Sequence, residues 1–257
     1  MTDPRSMTPQ SDDPSAPAAG PQFERDGFVR PVEHGWRWLA AGWDSLRRDA
    51  GLWVGMMVVF ILINLVAQFI PFIGTLLMSL LFPVFAGGFM LGCRAQEEGS
   101  GLEFGHLFAG FREHTPRLVV VGAVSLAGAV AATLLMLSVL GSVVFSAMTS
   151  GAEAAPAVPL ASGLLAVSLA LAVMVPVYMA IWFAPALIVL QDAPAVPALK
   201  ASFAACLKNF PAFMFYGVVL MVLAFLATLP FLLGWLVLGP VVVGSVYAAY
   251  RDIYFQA

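Results

Sequence analysis

The sequence predicts an all-α membrane protein that crosses a bilayer six times. Of its 257 residues, 61% are hydrophobic and only 11% are charged, and the mean hydropathy is +0.91. The apolar residues fall in six long runs that contain no charged side chain. In soluble domains about a quarter of the residues are charged. Lipid must therefore be the solvent for much of this chain, and helices satisfy their backbone hydrogen bonds internally there.

The first residues differ from the rest in composition. Residues 1–30 are rich in Pro, Ser, Asp and Ala and contain no long apolar run. We predict a disordered cytoplasmic tail over residues 1–30 and a six-helix membrane domain over residues 31–257. We expect no cleaved signal peptide in the tail, because that would need a basic start followed by an apolar core. A docking peptide for a soluble partner is the functional alternative.

The lengths of the runs predict how they cross. A transmembrane helix needs about 20 apolar residues, and the first two and last two runs each fit one crossing. They form tight hairpins around Pro71 and Pro230. The two central runs are too long for one upright crossing and too short for two. We interpret each as one long helix, tilted or broken, with Pro176 and Pro185 as kink points in the second. The predicted spans are residues 52–70, 72–93, 118–148, 158–190, 212–229 and 231–250.

The basic residues predict the orientation. All 12 Lys and Arg precede the first span, follow the last, or lie in the loops after the second and fourth spans. The three alternate loops contain neither Lys nor Arg. Cytoplasmic loops carry the excess of positive charge. We therefore expect a multi-pass protein of the bacterial inner membrane with both termini in the cytoplasm.

A short amphipathic stretch precedes each predicted hairpin. Its apolar residues recur at helical spacing, which places them on one face. They are Trp36, Leu39, Trp43 and Leu46; then Phe104, Leu107, Phe108 and Phe111; then Leu199, Phe203, Cys206, Leu207 and Phe210. Such a helix can lie along the inner membrane surface with aromatic rings at headgroup depth and basic residues toward anionic lipid. The expected membrane contacts are Trp36, Trp43, Arg47, Arg48, Phe108, Phe111, Phe203 and Lys208.

The first and third units are related beyond this pattern. Arg48-Asp49 matches Lys208-Asn209, and a proline separates the two spans of each unit. We interpret the chain as three parallel copies of a surface helix plus a hairpin, with the middle copy stretched. The alternative is chance similarity between hydrophobic hairpins. Many secondary transporters have inverted repeats, which this pattern lacks.

The spans offer little chemistry. They contain no Asp, Glu, Lys, Arg or His, whereas a charge in a bilayer costs about 2.5–3.5 kcal/mol and is usually kept for function. This excludes proton relays, ion-coupled carboxylates and intramembrane aspartyl or metalloprotease sites, but it does not exclude passage of a neutral solute. Asn64 and Gln68 share one helix face and form either an interhelical hydrogen bond or a lining for a polar substrate. Gly88 and Gly92 allow close helix contact, within the bundle or in a dimer.

The loop after the second span holds the candidates for a metal or acid–base site: Glu97, Glu98, Glu103, His106, Glu113 and His114. Glu103 and His106 can share a helix face, but no motif with metal-ligand spacing is present. We therefore expect a solvated polar loop, with no metal, cofactor or catalytic residue. The net charge of −3 argues against nucleic acid. Cys93 and Cys206 fit neither a metal site nor a disulfide.

Six blocks carry a resemblance. They are Gly35-Trp36-Arg37-Trp38; Phe82-Pro83 leading to Gly87-Gly88 and Cys93-Arg94; Leu107-Phe108-Ala109-Gly110-Phe111; Trp182-Phe183-Ala184-Pro185-Ala186-Leu187; Ser202-Phe203 through Cys206-Leu207-Lys208-Asn209; and Tyr247-Ala248-Ala249-Tyr250-Arg251-Asp252. In them the chain resembles an uncharacterised family of six-span inner-membrane proteins of Gram-negative bacteria, described as hypothetical transmembrane proteins. That family has no assigned activity, so the resemblance implies architecture and no catalytic residues. It does not extend to the chain before residue 30.

These observations predict a non-catalytic membrane component, such as a scaffold, an assembly factor or a lipid-organising protein, that acts through its inner-face helices. The alternative is a permease or channel for a small neutral or amphiphilic solute, motivated by the prolines and by Asn64 and Gln68. The expected partners are the lipid bilayer and either another membrane protein or a second copy of the chain. We expect no enzymatic activity.

Overall fold

The computed structural model describes residues 23–149, 160–229 and 233–256. Within these ranges the chain forms nine α-helices and a 3₁₀ helix, Phe104–Phe111, and no β-strand. The α-helices are α1 His34–Arg48, α2 Ala50–Gln68, α3 Ile73–Glu97, α4 Thr115–Thr149, α5 Leu160–Ile181, α6 Ala184–Gln191, α7 Ala195–Lys208, α8 Phe210–Thr228 and α9 Trp235–Tyr254. The prediction of an all-α protein is confirmed.

Six segments of the described chain are long and apolar enough to cross a membrane. They are Ala50–Gln68, Ile73–Glu97, Thr115–Ser146, Leu160–Gln191, Phe210–Thr228 and Trp235–Tyr254. Each overlaps one predicted span, and the bounds differ by a few residues. α3 and α9, for example, each continue about one turn past the predicted end, because the helix does not stop where its charged residues begin. The predicted turn at Pro230 and the loop between the third and fourth predicted spans lie outside the described residues.

The fourth crossing segment is broken. α5 ends at Ile181 and α6 starts at Ala184, with Trp182 and Phe183 between them. Pro185 lies in the first turn of α6, where its missing N–H is tolerated. Pro176 remains inside α5. Of the two conformations that the sequence left open for this run, the structure has the broken one.

Helix α1 packs tightly across α9. A Cβ atom on Gly42 would lie 2.2 Å from the carbonyl oxygen of Val241, and one on Gly244 would lie 2.9 Å from the Cα of Gly42. The two backbones therefore touch at this crossing, which only glycine allows. On the same face of α1, the buried ring of Trp38 lies 5.2 Å from that of Phe213 in α8.

The predicted apolar faces are divided between two environments. In α1, Leu39 and Leu46 are buried, whereas Trp36 and Trp43 are 58% and 47% exposed. The other two stretches divide in the same way, with some members buried (Leu107, Leu199, Cys206) and others exposed (Phe104, Phe108, Phe203, Leu207, Phe210). These segments are therefore packed helices with an exposed aromatic edge. They do not rest on a surface by one whole face, because the neighbouring helices cover the rest of that face.

Gly88 and Gly92 of α3 allow the 3₁₀ helix and the residues just before it to pack closely against α3. A Cβ on Gly88 would lie 2.5 Å from the carbonyl oxygen of His106, and one on Gly92 would lie 2.8 Å from Leu102. From the opposite side, a Cβ on Gly110 would lie 2.0 Å from the carbonyl oxygen of Val84. From the sequence, Gly88 and Gly92 could make a close contact either within the bundle or in a dimer. In the structure both glycines make it within the chain.

The packed part of the chain begins before the predicted boundary at residue 30. The N–H of Glu24 donates to the carbonyl of Tyr254 at 2.8 Å, and that of Phe28 donates to Ile253 at 2.7 Å. Phe23 stacks on Tyr254 with ring centroids 5.9 Å apart. Residues 23–30 therefore differ from the predicted disordered tail, because their apolar rings and backbone groups find partners at the end of α9. Residues 1–22 lie outside the described residues.

Candidate functional site

Ion pairs between different elements collect at one end of the long helices. In the described part of the chain the arginine–carboxylate pairs are Arg30–Asp252, Arg117–Asp192 and Arg251–Glu97, and the histidine–carboxylate pairs are His34–Asp252 and His114–Asp192. Arg30 precedes α1, and His34 is its first residue. His114 and Arg117 lie at the start of α4. The others lie at the ends of α3, α6 and α9: Glu97, Asp192, Arg251 and Asp252. We call this region, defined by the residues of these five pairs, the charged end.

Asp252 joins three parts of the chain at the charged end. Its Oδ2 accepts hydrogen bonds from His34 Nδ1 at 2.7 Å and from Trp38 Nε1 at 2.9 Å. Its Oδ1 lies 3.2 Å from Arg30 Nε. The guanidinium of Arg30 also donates to the carbonyls of Asp252 and Phe255. One carboxylate thus ties residues 23–30 and α1 to the end of α9.

Asn209 holds the same segment from the other side. It is fully buried in the break between α7 and α8. Its Oδ1 accepts from the N–H of Arg30 at 2.7 Å, and its Nδ2 donates to the carbonyl of Phe28 at 2.9 Å. The adjacent Lys208 donates from Nζ to the carbonyl of Asp26 at 2.9 Å. The ammonium that we expected to face lipid is therefore also a contact to residues 23–30.

A buried amide connects α1 to α3. Gln96 accepts from Ser45 Oγ at 2.6 Å through Oε1, and its Nε2 donates to the Ser45 carbonyl at 3.0 Å and to Asp49 Oδ2 at 2.7 Å. The next residue, Glu97, accepts from the hydroxyl of Tyr247 and lies 3.3 Å from Arg251 Nη2. The ends of α1, α3 and α9 are therefore fixed relative to one another by side chains.

A cavity of about 450 Å³ lies between these three helices at the charged end. We call it the α1–α3–α9 cavity. It is lined by Ala41, Ser45, Arg48, Cys93, Gln96, Glu97, Gly244, Tyr247, Ala248, Arg251, Asp252, Phe255 and Gln256. Its wall therefore carries two cationic and two anionic side chains together with two aromatic rings.

The predicted membrane-contact residues do not meet at one point. Arg48 lines the α1–α3–α9 cavity, whereas Arg47, its neighbour, is exposed outside it. Trp36 and Trp43 face outward from α1, and Phe203 is exposed on α7. Phe108 and Phe111 pack on Phe85 of α3, with ring centroids 6.2 and 5.0 Å away. The aromatic members, which we call the aromatic rim, lie on three different elements: Trp36 and Trp43 on α1, Phe108 and Phe111 on the 3₁₀ helix, and Phe203 on α7.

Asn64 and Gln68 do not bond to each other. Asn64 Nδ2 donates to the carbonyl of Phe60 in its own helix at 2.9 Å. Gln68 is exposed, and its Oε1 accepts from Thr75 Oγ1 at 3.4 Å. The two side chains are therefore satisfied locally, and neither belongs to the α1–α3–α9 cavity.

The Glu103–His106 pair caps the 3₁₀ helix. The N–H of Glu103 donates to His106 Nδ1 at 2.9 Å, and the Glu103 side chain accepts from the backbone N–H of His106. Among the described residues, no three His, Cys, Asp or Glu side chains come together as a metal site would require. Cys93 and Cys206 are free thiols. Burial raises the pKa of the Cys206 thiol from 9.0 to about 12, so it stays protonated at neutral pH.

Three polar residues of the site were not singled out from the sequence. Asp252, Gln96 and Ser202 each bond to an element far away in the chain. Asp252 and Ser202 belong to the blocks that carry the family resemblance, which is the one signal that could have marked them. Gln96 lies in a helix end that looks solvated in the sequence, so nothing there indicates that it is buried.

The fold and the charged end define the class of protein: an all-helical, multi-pass membrane protein whose polar contacts gather at one end. Over 202 residues the chain is 31% identical to the probable inner membrane protein BTH_II0599 of Burkholderia thailandensis, a match that covers 74% of this chain and 73% of that protein. The chain therefore belongs to this family of inner-membrane proteins of Gram-negative bacteria. No family model and no solved structure matches it.

Proposed function

We propose that the protein is a non-catalytic component of the inner membrane that organises lipid or holds a membrane partner at the cytoplasmic face. The observation that carries this proposal is the aromatic rim beside the charged end. Trp36 and Trp43 project from α1 while the opposite face of that helix is buried. Exposed Trp is favoured at headgroup depth, where one part of the ring is apolar and the other is wet.

In the proposed arrangement the six spans form three hairpins, each preceded by an interfacial helix. These helices are α1, the 3₁₀ helix and α7. Both termini lie in the cytoplasm, and the charged end faces it. The distribution of Lys and Arg supports this orientation, because basic residues stay on the cytoplasmic side. Anionic lipid on that side would attract Arg47 and Arg48, which are exposed at the end of α1.

The permease alternative has less support from the site. It depended on Asn64 and Gln68 as a polar lining. Asn64 is bonded to its own helix backbone, and Gln68 is exposed on the outside of α2. A scaffold or lipid-organising component needs no polar passage through the spans, so the local bonding of these two side chains agrees with it.

A comparison of two double variants tests the proposal. Trp36→Ala with Trp43→Ala removes the rim of α1 without touching its buried face. Phe145→Ala with Phe225→Ala is the control, because these rings are even more exposed but lie on the long helices α4 and α8. Each protein is purified gently from native membranes through a C-terminal tag, and the co-purifying lipids and proteins are quantified by mass spectrometry.

We expect the Trp variant to lose a specific lipid or a stoichiometric protein partner that the wild type and the Phe variant retain. A large exposed apolar side chain contributes about 1.5–3 kcal/mol when it becomes buried, so the loss of each Trp should weaken binding about tenfold or more. The same co-purifying set in all three samples would contradict the proposal. Solute flux in proteoliposomes that Asn64→Leu with Gln68→Leu abolishes would favour the permease instead.

A further inference from the structure

The α1–α3–α9 cavity combines both signs of charge in a space suited to a small ligand. Its volume of about 450 Å³ falls within the range of about 300–1,000 Å³ that small-molecule sites occupy. Arg48 and Arg251 supply positive charge to the wall, and Glu97 and Asp252 supply negative charge. With two charges of each sign, the wall has no net charge of its own.

Some polar groups of the wall already have a hydrogen-bond or ion-pair partner within the protein, and others do not. Glu97 is bonded to Tyr247 and paired with Arg251, and Asp252 is paired with Arg30. Among the charged side chains of the wall the exception is Arg48, an exposed residue whose guanidinium makes no hydrogen bond or ion pair with any residue that the structure describes. A cationic donor that no protein group uses, at the mouth of a cavity, is available for an anionic ligand.

A phosphate diester fits the cationic side of the wall. Guanidinium groups bind phosphate through two parallel N–H···O bonds, and Arg48 is free to form them. Arg251 is a second donor, held in place by Glu97 at 3.3 Å and by the ring of Phe255, whose centroid lies 4.7 Å from its guanidinium carbon. An anion placed between the two guanidinium groups would contact residues of both α1 and α9.

An ammonium group fits the remaining side. Glu97 and Asp252 supply carboxylate oxygens, and the rings of Tyr247 and Phe255 offer aromatic faces that attract cations. A purely anionic ligand would compete with Glu97 for the guanidinium of Arg251 and would lie close to both carboxylates. A ligand that carries its own positive charge a few bonds from the phosphate would instead pair with both sides of the wall.

We propose that the α1–α3–α9 cavity binds a zwitterionic phosphoethanolamine group, the headgroup chemistry of phosphatidylethanolamine. The cavity lies at the charged end, where pockets between membrane helices meet lipid headgroups. This inference rests on the lipid-organising form of the proposed function and names its ligand class. The same chemistry is present in soluble glycerophosphoethanolamine, so the two sources must be separated by experiment.

Titration of the detergent-solubilised full chain, followed by native mass spectrometry, tests the inference. The probes are phosphatidylethanolamine, phosphatidylglycerol and phosphatidylcholine with identical acyl chains, and soluble glycerophosphoethanolamine. We expect phosphatidylethanolamine to bind about tenfold more tightly than phosphatidylglycerol. Tight binding of the soluble compound as well would assign the cavity to a soluble ester of the same chemistry. Equal binding of all three lipids would overturn the inference.

Two neighbouring arginines provide a matched pair of variants. Arg48→Gln should weaken phosphatidylethanolamine binding about tenfold, because a charge-assisted hydrogen bond is lost. Arg47→Gln, which removes the same charge outside the cavity, should change it less than about twofold. Because both side chains are exposed, we expect both variants to fold. Equal effects of the two changes would mean that general attraction to lipid, and not the cavity, causes binding.

Glu97→Gln tests the ammonium side. It should reduce the preference for phosphatidylethanolamine over phosphatidylglycerol to about twofold or less, since the carboxylate that distinguishes them is gone. Thermal unfolding verifies that the variant is folded. An unchanged preference would contradict an ammonium site. The variant with Trp36→Ala and Trp43→Ala separates the two proposals. If this variant loses its co-purifying lipid or partner while the wild type shows no preference among the lipid headgroups, the cavity assignment is overturned and the proposed function still stands.

Discussion

At the scale of single residues, the hydroxyl of Ser202 occupies a position normally held by a direct backbone hydrogen bond. It accepts from the N–H of Phe183 at 2.9 Å and donates to the carbonyl of Met179 at 2.7 Å. These two residues have the spacing of an α-helical hydrogen bond. Pro185, in the following turn, lacks the N–H that would continue the ladder. A side chain from α7 thus inserts into the break between α5 and α6 and satisfies both backbone groups.

The change Ser202→Ala should destabilise the protein by about 1–3 kcal/mol, because it leaves a buried N–H and a buried carbonyl without partners. Unfolding of the purified protein, followed by circular dichroism against temperature, measures the loss. Ser79→Ala is the control, since the Ser79 hydroxyl only donates to the carbonyl of Thr75 in its own helix, in an exposed hydrogen bond. Its cost should stay below about 0.5 kcal/mol, and an equal cost for both changes would contradict the bridging role.

At the scale of elements, the joint between α1 and α9 shows what the sequence could and could not predict. The long helices are local features, since each follows from one apolar run, and hydropathy predicts them well. The joint is not local. It depends on glycines far apart in the chain, Gly42 and Gly244, and neither has a side chain that could indicate a partner. Helical spacing marked the apolar residues of α1 but could not assign Leu39 to protein and Trp36 to the surroundings.

The change Gly42→Ala should destabilise the protein by about 1–3 kcal/mol, because the added methyl group would overlap the backbone of Val241. Thermal unfolding again provides the measurement. Gly217→Ala in α8 is the matched control, as a Cβ there would have no neighbour within 4 Å. That change should be neutral or slightly stabilising, because Ala favours helix. A neutral result for Gly42→Ala would mean that α1 is loosely attached.

The first and third units also correspond at this scale. α1 ends at Arg48 and α2 starts at Ala50, while α7 ends at Lys208 and α8 starts at Phe210. The paired positions Asp49 and Asn209 therefore occupy equivalent breaks. In each break a polar side chain bonds to another part of the charged end. This agreement supports the interpretation of the chain as repeated units and gives the matched Arg48-Asp49 and Lys208-Asn209 pairs a structural role.

At the scale of the whole molecule, the charged end joins segments that are far apart in sequence. Arg30 and Asp252, 222 positions apart, are held by an ion pair and by hydrogen bonds to the Asp252 carbonyl. Sequence reasoning placed residues 23–30 in a disordered tail because their composition is polar. It could not foresee that their backbone groups complete the end of α9, since such bonds leave no pattern in side-chain type.

The change Asp252→Asn should release residues 23–30. It removes the charge that pairs with Arg30 and His34, worth about 1.5–3 kcal/mol for a charge-assisted hydrogen bond. Hydrogen exchange at the amides of Glu24 and Phe28 should become at least about tenfold faster. Asp44→Asn, which alters an exposed carboxylate on α1, should leave these rates unchanged. Equal protection in both variants would show that the Asp252 charge is not what holds the segment.

The closure of the charged end has a consequence for biosynthesis. Residues 23–30 leave the ribosome long before Asp252, and at about 5–20 residues per second the delay is on the order of 10–45 seconds over the 222 positions between Arg30 and its partner. The six spans are inserted during that interval, while the early segment still lacks its acceptors. A nascent chain that stops before α9 would therefore leave the Arg30 guanidinium and the N–H groups of Glu24 and Phe28 without their acceptors in α9, the carbonyls of Asp252, Tyr254 and Ile253.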